Sequence, residues 1–107
     1  MNKIYGAVGM MKKAGALLSG FDRVAEAVKE DKVHLIMTAG DISPKSLKEI
    51  QHVARRYNIE VIGIPVTMDE ICRLIGKRAG ILGAVNQGLA DIVRKEVNNM
   101  SCANEEE

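Results

Sequence analysis

The sequence predicts an α/β fold, a three-layer α-β-α sandwich built on a four-stranded mixed sheet. Helical and strand patterns alternate along the chain with no long loop between them, which argues for helices on both faces of a sheet that is at least partly parallel. Two apolar runs, VHLIMTA (33–39) and EVIGIP (60–65), are too short for helices and rich in branched residues, as strands buried on both faces are. The 107 residues are 47% hydrophobic and 3% aromatic, which fits one domain with one aliphatic core.

The elements follow in order. Ile4, Ala7, Val8, Met11 and Ala14 recur at helical spacing until Gly15, giving a first helix over 3–14 with Lys12 and Lys13 in its last turn, where cations suit the helix dipole. Leu17 and Leu18 make only a very short strand, one that could run antiparallel. A second helix carries Phe21, Val24, Ala25 and Val28 on one face and Asp22, Arg23, Glu26, Lys29 and Glu30 on the other. After the strand at 33–39, Ser43 is placed to cap and Pro44 to open a third helix, whose apolar stripe is Leu47, Ile50, Ala54 and Tyr57. Lys45, Lys48, His52, Arg55 and Arg56 ride outside it. The strand at 60–65 stops at Pro65, and Thr67 to Glu70 forms a capping box for a short helix with Ile71, Leu74 and Ile75 inward. ILGAV (81–85) is the last strand, and QGLADIVRKEVNN the last helix, with Leu89, Ile92, Val93 and Val97 inward. The domain spans 1–99, and residues 100–107 read as a disordered acidic tail.

Composition narrows the function classes. Three of the 14 acids are Glu105, Glu106 and Glu107, so residues 1–104 carry +4 where the whole chain carries +1. A mildly basic body suits a modest number of phosphate contacts, although solubility accounts for it equally well. With one Phe, two Tyr and no Trp, aromatic stacking platforms for single-stranded nucleic acid, which need exposed rings in a basic groove, are nearly excluded. Cys72 and Cys102 form no CxxC or Cys/His cluster and read as a core residue and a tail residue, so no metal or other cofactor is expected. Lysines interrupt the N-terminal apolar residues before a run reaches membrane length, and the reading is a reduced, cytoplasmic, monomeric protein with no membrane partner.

Catalysis finds little support. His34 alternates within an apolar strand and reads as a core histidine, while His52 lies on a solvated basic face. Ser43 and Thr67 are better used as caps than as nucleophiles. Asp41 ends a long strand, where α/β enzymes often hold an acid, but it lacks a partner, and neither G-x-G-x-x-G nor G-x-x-x-x-G-K-[ST] occurs. Binding of structured RNA uses more of what is present. SGFDRV offers a helix N-terminus with Arg23 beside it, and GKRAGI offers Lys77 and Arg78 on a glycine-flanked loop.

Four stretches, MMKKAGALLSG, VHLIMTAGDISPKSLKEI, YNIEVIGIP and RLIGKRAGILGAVNQGLA, together resemble the kink-turn RNA-binding ribosomal protein superfamily, of L-seven-Ae and L-thirty-e type, in particular its small bacterial YlxQ-like branch. The A-x-D-x-x-P match at Ala39, Asp41 and Pro44, together with the glycine-rich last loop, is the most specific part. The resemblance implies a non-catalytic, ribosome-associated protein that binds kinked RNA through three neighbouring loops. The helix N-terminus from Gly20 to Glu26, with Phe21, Asp22 and Arg23, would enter the RNA groove and read sheared G·A pairs, and Ser19 before it would be a further RNA-binding residue. Arg78, Ala79, Gly80 and Ile81 would pack on a flipped-out base, with Asp41, Ile42 and Ser43 beside them and Lys77 as a further RNA-binding residue of the loop. Where the family pattern is G-x-N-E-x-x-K, this sequence keeps Gly20 but has Asp22, Arg23 and Glu26. The alternative is a protein-interaction module on the same scaffold with RNA binding lost. Convergence of Arg23, Lys77 and Arg78 with Lys12 or Lys13 would favour RNA, and an apolar patch at Met68, Ile71 and Cys72 would favour a protein partner.

Overall fold

The computed structural model describes the backbone of residues 3–105 and the side chains of residues 3–99. The described elements are α1 (Lys3–Lys13), β1 (Leu17–Ser19), α2 (Phe21–Lys29), β2 (Leu35–Thr38), α3 (Pro44–Arg56), β3 (Val61–Gly63), α4 (Met68–Ile75), β4 (Ile81–Ala84) and α5 (Gln87–Glu105). The expected class holds: the four strands form one mixed sheet, ordered β1-β4-β2-β3. β2 and β3 run parallel, while β4 is antiparallel to both β1 and β2.

The pleat divides the core into two layers. Leu35, Met37, Leu82 and Ala84 face one side, where they meet Ile4 and Met11 of α1, Ile71 and Ile75 of α4, and Ala90 and Val93 of α5. Ile36 and Ile81 face the other, against Val24 and Val28 of α2 and Ile50 and Ala54 of α3. Gly83 points to this second layer, and a Cβ there would stand 3.3 Å from Val24 Cγ2, so the missing side chain lets α2 seat closely on β4.

Several expectations are corrected. The strands are shorter than the apolar runs: β2 pairs with β4 only over Leu35–Thr38 and with β3 only over Ile36–Thr38. His34 therefore precedes β2 and is exposed rather than core; only its backbone is engaged, donating to the Ala84 carbonyl at 2.8 Å. Tyr57 is the C-cap of α3 and 38% exposed, with the Arg56 guanidinium over its ring. Ile92 is 43% exposed, since the inward face of α5 is centred on Ala90 and Val93. Ala14 lies beyond the last turn of α1 and is exposed, and Phe21 is only partly buried. α5 continues to Glu105, through positions read as tail, and Glu106 and Glu107 lie outside the described residues.

Candidate functional site

Because β4 is antiparallel to its neighbours, the C-terminal ends of β1, β2 and β3 share one end of the sheet with the start of β4. α2, α3 and α4 each begin just after one of those strand ends, so three helix N-termini gather there. Ligands of open α/β sheets collect outside strand carboxyl ends, and the positive ends of helix dipoles favour anions. Backbone hydrogen bonds stitch the loops together. The Gly20 amide donates to the Ile81 carbonyl at 2.9 Å, Ala39 to Gly80 at 2.9 Å, and Gly40 to Val66 at 2.9 Å.

The three N-termini differ in one respect. At α3 the Ser43 hydroxyl accepts the Ser46 amide at 3.2 Å. At α4 the capping box is complete, and the Asp41 carboxylate accepts the Met68 amide at 2.9 Å. At α2 the cap is Gly20, which has no side chain to close the turn, so the first-turn amides are left to solvent or a ligand. Gly20 has φ 95° and ψ 147°, a conformation that is essentially restricted to glycine. Asp22, Arg23 and Glu26 are exposed on the helix that follows.

The residues of the last loop divide by direction. Lys77 and Arg78 are exposed, and the Arg78 guanidinium donates to the Asp69 carboxylate on the first turn of α4. Ala79 and Ile81 are buried, one in each core layer, and leave backbone rather than side chain to a ligand. Gly80 lies against Ile42, where an added Cβ would stand 3.3 Å from Ile42 Cγ1, and this packing sets the spacing of the two loops. Ser19 ends β1 opposite Leu82. Asp41 is neither a lone acid nor free: it links the loop after β2 to α4, a role that sequence reasoning missed because its partner lies 27 positions away.

Lys12 and Lys13 line a separate cleft between α1 and α4 with Met10 and Leu74. The apolar patch that would have favoured a protein partner is not formed, since Ile71 is fully buried and Met68 packs against the core. Among the described residues there is no His/Cys/Asp/Glu cluster able to hold a metal ion, and no helix is long and apolar enough to cross a membrane.

The fold is shared with solved structures. A Bacillus halodurans protein whose title gives its function as unknown superposes with a TM-score of 0.84 at 22% identity, over 92% of this chain and 99% of that one. A Giardia lamblia 15.5kD RNA binding protein superposes with a TM-score of 0.73 at 13% identity, over 95% and 91%. In sequence, the chain is 24% identical over 88 residues to the RNA-binding protein YlxQ of Enterococcus faecium, 82% of this chain and 84% of that protein. The model of the Ribosomal protein L7Ae/L30e/S12e/Gadd45 family matches residues 2–94, nearly the whole described domain, and the chain belongs to that family.

Proposed function

We propose that this protein binds structured, kink-turn-like RNA in the cytoplasm as a non-catalytic, ribosome-associated monomer, with the α2 N-terminus as the reading element. The observation that carries this is the contrast among the three helix N-termini: α3 and α4 are closed by side chains of the protein itself, whereas α2 is open. Its free amides match phosphate or base acceptors, and Arg23 can contact a guanine edge or a phosphate. Gly80 and the backbone of Ala79 and Ile81 form a small surface on which a flipped-out base can pack. Lys77 and Arg78 supply charge, and Ile42 supports the loop from beneath. The names of the YlxQ relative and the Giardia protein agree with an RNA ligand.

The test is a titration against a kink-turn RNA and a plain duplex of equal length at two salt concentrations. Preference for the kinked RNA with a shallow salt dependence, reflecting few phosphate contacts, is the expected result. Equal affinity for both RNAs, or no binding, would overturn the assignment.

A further inference from the structure

An open groove of about 530 Å³ runs between the start of α2 and the outer face of α3. Its apolar part is Phe21 and Val53, both packed on the core from one side and open on the other. Its rim is Lys45, Lys48, His52 and Glu49. Beyond His52 the surface continues into a second depression that includes Lys48 and Arg55. Lys45, Lys48, His52 and Arg55 follow one face of α3 and span about 15 Å at 1.5 Å per residue. Neither Lys45, Lys48 nor Arg55 is in the ion pairs formed among the described residues.

We infer that this groove is a second RNA subsite, which takes a single-stranded segment leaving the RNA bound at the α2 N-terminus. The inference rests on the RNA reading above. Phe21 directly follows Gly20, so a strand leaving the α2 N-terminus meets its ring first. Against the expectation from composition, the one Phe of the chain is half-buried beside a line of cations, enough for one base of an unpaired strand to stack on the ring while the backbone follows the charge. A duplex offers no free base to Phe21. Glu49 repels phosphate and accepts a hydrogen bond from a 2′-hydroxyl or an exocyclic amine, which puts base and ribose on its side and phosphates on the Lys45–Arg55 side.

The experiment compares one kink-turn RNA with the same RNA carrying a short oligouridine extension, placed on each strand end in turn. One extended form is expected to bind about tenfold tighter, the size of a single base stack. Combining Lys45→Ala, Lys48→Ala and Arg55→Ala reduces that gain and lowers the salt slope for the extended RNA by about 2, at roughly 0.7 per contact on single strands, while affinity for the bare RNA is unchanged. Phe21→Leu, which keeps an apolar side chain on the core, is expected to reduce the ratio of extended to bare affinity. If the bare RNA binds and neither extension helps, or if the triple variant keeps the gain, the subsite is wrong and the primary site stands. If wild type binds neither RNA, both assignments fall.

Discussion

The Asp41 carboxylate accepts the Met68 amide at 2.9 Å and so joins the loop after β2 to the first turn of α4. The bond holds the start of α4 beside the last loop, where Ile42 and the Met68 methyl both lie against Gly80. Asp41→Ala leaves a helix-start amide without its acceptor, a loss of about 1 kcal/mol. For a domain of this size that corresponds to a fall in melting temperature of about 4–8 °C. Asp41→Asn keeps an oxygen acceptor and is expected to lose less. Thermal denaturation of the three proteins decides it, and an unchanged Asp41→Ala melt would mean that the bond contributes nothing.

Gly20 occupies backbone space that a Cβ disfavours. Gly20→Ala is expected to cost about 1–3 kcal/mol and, by shifting the α2 N-terminus, to lower RNA affinity more than tenfold. Gly6→Ala is the matched control: Gly6 is within α1, exposed, with open space around its Cα, so alanine there is expected to stabilise by about 0.5–1 kcal/mol. If the two substitutions have equal effects in chemical denaturation, conformational strain at Gly20 is not the cause.

Lys77→Ala combined with Arg78→Ala removes two exposed cations and one exposed ion pair. A pair of that kind contributes about 0–1 kcal/mol, so the melting temperature is expected to move by no more than a few degrees. RNA affinity falls, and the salt slope drops by about 2 if both cations meet phosphates. Wild-type affinity in this variant would remove the loop from the interface.

Element order was legible because its signals are local. Ser43-Pro44, Thr67 to Glu70 and the glycines at 15 and 76 each announce a helix end within a few residues, and all lie at or beside helix ends in the structure. The family resemblance was legible for a related reason, since its motifs are short. Strand order was not, because β1 reaches β4 across more than sixty positions and no residue of Leu17–Ser19 encodes that partner. Tyr57 and Ile92 fit helical stripes by spacing, yet an apolar residue at the edge of a stripe can face either way, and both lie outside the buried faces that Ile50 and Ala54 form on α3 and Ala90 and Val93 form on α5. Of the candidate site, the segments, the caps at Ser43 and Thr67 and the glycine at 20 were readable, but the contact of Asp41 with Met68 was not, because the two lie 27 positions apart.

Asp22 is exposed in the first turn of α2, and there stability and recognition make opposite demands. A negative charge at a helix N-terminus stabilises it by about 0.3–1 kcal/mol, and Asp22→Asn gives that up. Asparagine also restores a donor, so one side chain can both donate to and accept from a base edge, where an ionised carboxylate only accepts and repels nearby phosphate. The expected outcome is a slightly lower melting temperature together with kink-turn affinity raised about fivefold, the lower end of what one good base contact contributes. Both quantities are to be measured on the same preparation. Opposite movement of the two would identify Asp22 as a residue that trades RNA affinity for helix stability. Weaker RNA binding in Asp22→Asn would show instead that the carboxylate makes a contact of its own, to a cytosine or guanine amine, and that this protein reads a different base pair at that position.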